Sequence, residues 1–178
     1  MKQALLVIDV QNDYFKNGKM ELVGPDQALD KIKQLEQYFN EKNLPIIYVQ
    51  HINPPQASFF QENTDGVLLH PELSAGSDSL IVTKHYPNSF LATNLEELLK
   101  AHQIEQLVIT GMMTHMCIDS GTRAAKELIN PLIADATATR DLSYAGKTTK
   151  AEDVQTAFLT ALSTFANVQN TADFLANS

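Results

Sequence analysis

The sequence holds one cysteine, Cys117, and its surroundings are those a nucleophile would need. A short apolar run, Leu107-Val108-Ile109, reaches Gly111, passes through a polar turn and then takes on helical spacing at Ile118, Gly121, Ala125, Leu128 and Ile129. Cys117 is therefore predicted at a helix N-terminus, where unpaired N–H groups and the positive end of the dipole favour a thiolate. The same residue also reads as a small buried hydrophobe. A nucleophilic thiol needs a base to take its proton and a cation to steady the anion. Asp9 ends the run Ala4-Leu5-Leu6-Val7-Ile8, and Lys84 ends Leu80-Ile81-Val82-Thr83. Burial at a strand end makes a carboxylate a stronger base, and a nearby ammonium lowers the cost of both anions. A structural ion pair at a sheet edge would use the same two residue types.

These residues need a scaffold that brings them together, and the chain alternates the required elements. Strands are predicted at 4–8, 46–49 (running into His51), 80–83, 107–109, 132–134 (running into Asp135) and 166–168. Helical faces occupy 26–39 after Gly24-Pro25, 95–101 after a Thr93 or Asn94 cap, the stretch after Cys117 up to Asn130-Pro131, and 154–165. Residues 52–78, with Pro54, Pro55, Gly66, Pro71 and Gly76, lack periodicity and are a candidate substrate-covering segment. Residues 136–149 read as polar and irregular. The expected fold is a three-layer α/β/α domain spanning 1–178, with a mostly parallel, doubly wound sheet of about six strands. In such a sheet every strand's carboxyl end lies on one edge, where ligands bind at the reversal of strand order. Asp9, Lys84 and Cys117 would all meet there.

The net charge of −8 argues against nucleic acid or an anionic membrane as partner. No apolar stretch is long enough to span a bilayer. Met1-Lys2-Gln3 leads into a strand-like run too short and polar for a signal peptide. A lone cysteine forms no internal disulfide, and a reducing cytoplasm is the simplest expectation.

The chain resembles the isochorismatase-like cysteine hydrolases, a superfamily that includes nicotinamidases, N-carbamoylsarcosine amidases and isochorismatases. The resemblance rests on Leu5–Asp13, on Lys84 with Ser89-Phe90, and on Gly111–Cys117 with Arg123-Ala124-Ala125. It implies an Asp9–Lys84–Cys117 triad and a cis Met112–Met113 bond. It also implies an oxyanion hole made by the Met113 and Cys117 amides, and amide hydrolysis through a thioester. Family members are usually oligomers, so a homodimer or homotetramer is expected.

Nicotinamidase-type members hold a metal through Asp-x-His and a further histidine. Here the corresponding stretch is His51-Ile52-Asn53, a poor zinc set, so neither metal nor cofactor is expected and nicotinamide is disfavoured as substrate. Phe15, Tyr86 and Met113, next to triad residues, are the first candidates for substrate contact. Tyr14 is a further candidate for the pocket wall, whereas Phe59, Phe60 and Phe90 could equally be core or interface. His115 reads as loop-facing or structural and His85 is similarly ambiguous, Asp119 and Arg123 are spaced as a helical pair, and Asp135 could cap the turn after its strand. The leading expectation is a cysteine amidase acting on a small amide or ureido compound. The alternatives are an isochorismatase-type vinyl ether hydrolase, which needs no thiol, and a non-catalytic binding or redox-sensing module.

Overall fold

Strand β1 (Gln3–Ile8) is buried on both faces because its side chains alternate between two cores. Leu5 and Val7 join one apolar cluster, while Ala4, Leu6 and Ile8 join the other. Around it lie β2 (Ile46–His51), β3 (Leu80–Lys84), β4 (Gln106–Met112) and β5 (Pro131–Ala138), followed by a hairpin, β6 (Leu142–Tyr144) with β7 (Lys147–Thr149), and by β8 (Asn167–Gln169). The main sheet runs in the order β3-β2-β1-β4-β5-β8, every pair parallel. The chain winds outward from β1 to β3, then crosses to β4 on the other side of β1. The order therefore reverses between β1 and β4. The computed structural model describes residues 1–125, 128 and 130–178.

Helix α1 (Pro25–Glu41) covers one face with Ala28, Leu29, Ile32, Leu35 and Phe39. Burying each large side chain of that stripe is worth roughly 1.5–3 kcal/mol. Pro25 occupies the first turn, where its missing N–H costs nothing. The opposite face is covered by α2 (Leu95–Ala101), by the turn that leads into α3 (Asp119–Ala124), and by α4 (Ala151–Leu162), through Leu95, Leu99, Ile118 and Leu162. The three-layer architecture matches expectation. Ile129, the last position of the expected face after Cys117, lies outside the described residues, as do Lys126 and Glu127.

Two stretches differ from expectation. Strand β5 continues to Ala138, and the polar stretch beyond it folds into the β6–β7 hairpin. The cause is Ala136-Thr137-Ala138, whose small and β-branched residues suit a strand without an apolar signature. A two-residue loop, Ala145-Gly146, closes the hairpin with positive φ at both positions (49° and 77°), the primed geometry that matches strand twist. The second difference is a short C-terminal helix, α5 (Thr171–Ala176), docked through Phe174. Asp135 lies within β5 and accepts from the Thr171 N–H and hydroxyl at 2.8 Å each. It thus caps this distant helix rather than the turn after its own strand.

Residues 52–78 form a strap across the end of β1, and three consecutive residues of the β1 exit hold it. Gln11 donates from Nε2 to the His51 and Val67 carbonyls (2.8 and 2.7 Å) and accepts from the His51 N–H (2.8 Å). Asn12 reaches the Asp65 carbonyl. The buried Asp13 carboxylate accepts the Phe60 and Lys19 amides, and Gly66 is small enough for that carboxylate to sit against it, where a Cβ would clash. Phe60 fills the space below, its ring 4.5 Å from that of Tyr14.

Candidate active site

The first three strands, β1 to β3, each lead to an ionisable residue, and β4 leads to the thiol. Asp9 follows β1 in a left-handed conformation (φ 52°), His51 ends β2 and Lys84 ends β3. His51 and Lys84 face each other in register. Beyond β4 the chain passes a cis Met112–Met113 bond and enters a π-helical turn, Thr114–Ile118, that carries Cys117. Gly111 permits this convergence. Its φ of 119° suits glycine, and a Cβ there would run into the Ile8 carbonyl.

Lys84 is the centre of the cluster. Its Nζ lies 2.8 Å from Asp9 Oδ2, 3.3 Å from Cys117 Sγ, 2.9 Å from His51 Nδ1 and 3.1 Å from the Tyr86 carbonyl oxygen. Asp9 and Lys84 are fully buried, and Cys117 and His51 nearly so. The structure thus brings together the three residues expected at the sheet edge and adds His51, which sequence reasoning had weighed only as a metal ligand. The available signal was position: His51 ends an apolar run just as Asp9 and Lys84 do.

Electrostatics within the cluster follow from burial and close charges. Burial disfavours the Lys84 ammonium, but the Asp9 carboxylate and the sulfur more than compensate, and its pKa is raised. Burial, reinforced by the Asp9 charge and only partly opposed by Lys84, pushes the Cys117 thiol well up. This corrects the expectation of a thiolate favoured by a helix N-terminus. The sulfur is buried beside a carboxylate, inside a π-turn that precedes α3. These effects favour the thiol over the thiolate. Burial first, and then Lys84, lowers the His51 pKa, so the ring stays neutral with Nδ1 accepting from the ammonium.

The remaining candidates fall into different settings. Met113 is buried at the exit of β4, and Phe15 is buried with its ring 4.2 Å from that of His70 in the strap. Tyr86 contributes its carbonyl to Lys84, while its ring is 51% exposed. Tyr14 feels the charges of the cluster: burial raises its phenol pKa, and Cys117 and Asp9 raise it further. His115 pairs with the Thr139 hydroxyl (2.6 Å), and His85 pairs with the Ile52 carbonyl. Phe60 is core. Asp119 and Arg123 form a two-pronged pair at 2.9–3.0 Å.

The metal question takes a different form in three dimensions. Ligand atoms of Asp9, His51 and Cys117 lie within 4.8 Å of one another, whereas Asn53 donates its amide N–H to the Phe59 carbonyl. The Lys84 ammonium stands against all three of those groups. A divalent ion there would have to displace a buried cation or repel it at close range, so these residues do not fit a resident metal.

The isochorismatase domain model matches residues 3–173. The uncharacterized isochorismatase family protein YddQ of Bacillus subtilis is 41% identical over 98% of this chain and 99% of its own length. The secreted isochorismatase effector Isc1 of Verticillium dahliae is 31% identical over 78% of this chain and 74% of its own. A crystal structure of an isochorismatase-type hydrolase from Oleispira antarctica superposes with a TM-score of 0.95 at 40% identity, covering 98% and 96% of the two chains. The chain belongs to the isochorismatase family and is a hydrolase. Among the described residues, no helix is long and apolar enough to cross a membrane.

Proposed function

We propose that this hydrolase cleaves a C–N bond of a small amide or ureido compound, with Cys117 as nucleophile, Asp9 as general base and acid, and Lys84 as electrostatic support. The observation that carries the reading is the buried Lys84 ammonium, 2.8 Å from the Asp9 carboxylate and 3.3 Å from the Cys117 sulfur. Asp9 takes the thiol proton as sulfur bonds to the carbonyl carbon, and the carbonyl π electrons move onto oxygen. The Met113 and Cys117 amides serve as the oxyanion donors. Collapse of the adduct breaks the C–N bond, and the departing nitrogen takes its proton from Asp9. A water then gives a proton to Asp9 and attacks the thioester. The acid leaves, and the sulfur recovers its proton. We expect a one-domain enzyme working in the cytoplasm as a homo-oligomer. Light scattering would size the assembly.

The test is ammonia release from a panel of primary amides and ureido compounds, with intact-mass detection of an acyl group on Cys117. Cys117→Ala is expected to lower turnover by at least about 1,000-fold, as loss of a covalent nucleophile does. Full activity in that variant would end the covalent reading. The name of Isc1 favours a second reading, hydrolysis of the isochorismate vinyl ether. Equal isochorismate cleavage by wild type and Cys117→Ala, with every amide inert, would select it.

A further inference from the structure

Arg140 is a cation without a counter-ion among the described residues, and it stands on the edge of the sheet that carries the thiol. It lies two residues beyond β5, next to Thr139, which anchors His115 and bridges to Val23. Its Nε is buried with no hydrogen-bond partner. Its one hydrogen bond among the described residues is a 3.5 Å contact from Nη1 to the Asp141 carbonyl. The carboxylates that share its surroundings are all committed elsewhere. Asp141 binds Lys150 and the Ala151 amide at 2.8 Å each. Asp119 is paired with Arg123, Asp13 accepts the Phe60 and Lys19 amides, and Asp9 is paired with Lys84. In a chain of net charge −8, an unmatched guanidinium is not explained by a shortage of acids.

Two residues tie Arg140 to the nucleophile. His115 belongs to the turn that carries Cys117, and the positive charge of Arg140 adds to burial in lowering its pKa. Tyr14 is within electrostatic reach of Cys117, Asp9 and Arg140 together. Beside the cysteine turn is a cavity of about 800 Å³ whose lining includes His115, Met116, Arg140, Tyr144, Lys147 and Phe158. That volume suits a small molecule, and the walls combine apolar surface with a few convergent polar groups. The two cations face no unpaired acid there, because Asp141, also on the lining, is taken by Lys150.

We propose that Arg140 recognises a carboxylate on the substrate, so that the compound hydrolysed is a small amide or ureide bearing an acid group at its other end. A guanidinium presents parallel donors that match a carboxylate, and the ligand would supply the partner that Nε lacks. Arg140 thereby sets specificity and orients the scissile carbonyl, whereas Asp9, Lys84 and Cys117 perform the chemistry. The inference rests on the amide-hydrolase reading of that site.

The test compares kcat/KM for monoamides of short dicarboxylic acids with that for the corresponding neutral diamides. Wild type is expected to prefer the acid-bearing member by roughly 10–100-fold, as a charge-assisted bond provides. Arg140→Gln should bring that ratio close to one. Arg140→Lys, which keeps the charge but not the fork, should fall between and serves where Arg140→Gln folds poorly. A binding arm is independent of turnover: calorimetry of free succinate on Cys117→Ser, with and without Arg140→Gln, should show a similar loss of affinity. A wild-type ratio near one, a ratio unchanged by either Arg140 variant, or succinate binding indifferent to Arg140 would overturn the proposal. Failure of all amides to turn over would remove the amidase reading alone, and the calorimetry would still decide Arg140.

Discussion

His51 makes the residue scale instructive, because its protonation would set a second cation 2.9 Å from Lys84. Its pKa is lowered by burial and then by that ammonium, so the unfolded chain binds this proton more readily than the folded one. Stability is therefore complete above the ordinary imidazole value of 6.5 and is lost as the pH falls below it. His70 and His115, both lowered first by burial, act in the same direction. Urea midpoints measured from about pH 8 down to about pH 5 should fall, and His51→Gln should flatten that fall. A midpoint that stayed level in wild type would contradict a neutral buried His51. Asp9, Lys84 and Cys117 were legible in the sequence because each is a chemically capable residue at the end of an apolar run. His51 satisfies the same criterion, but its part emerges only once β2 is known to lie between β1 and β3. Arg140 left no such trace, since its lack of a partner depends on where Asp141, Asp119 and Asp13 turn in space.

Among the elements, those that bury a continuous apolar run were readable, and those that do not were missed. Strand β1 and helix α1 announce themselves by period. The β6–β7 hairpin is almost wholly exposed, so no burial pattern marks it in the sequence. Its turn also uses a poor residue, because Ala145 holds a φ of 49° that costs an alanine about 1 kcal/mol or more. Ala145→Asn supplies the residue that primed turns prefer and is expected to stabilise the hairpin by about 0.5–1 kcal/mol. Slower amide exchange at Leu142–Thr149 would be the sensitive readout, and exchange unchanged or faster would mean that the turn does not limit the hairpin. Helix α5 was missed for another reason. Six residues carry too little periodicity, and its cap comes from Asp135, 36 positions earlier in the chain.

For the molecule as a whole, the decisive property is that the reacting charges are enclosed while most of the excess charge is outside. Besides Asp9, only Asp13 and Glu36 are buried acids among the described residues, and the other carboxylates that contribute to the net −8 touch solvent, where screening acts within about 10 Å at 0.1 M salt. Asp9 and Lys84 have no exposed surface, so added salt has little access to their interaction. The single-turnover rate of Cys117 acylation by a neutral amide should change by less than about twofold between low salt and ~0.5 M NaCl. A strong salt dependence of that step would indicate a site open to bulk ions.

The four contacts of Lys84 have a consequence for how charge moves during the reaction. An ammonium has three hydrogens, yet Asp9, Cys117, His51 and the Tyr86 carbonyl all stand within reach of it. One acceptor is always under-served, so the cation can lean toward whichever neighbour is negative at that moment. In the proposed reaction the anion changes address as the proton passes from sulfur to carboxylate, while its counter-ion stays in place. The interior keeps the same total charge throughout, and no ion or water has to cross the strap to balance it. Lys84 is best regarded as a fixed pivot for a negative charge that alternates between two seats.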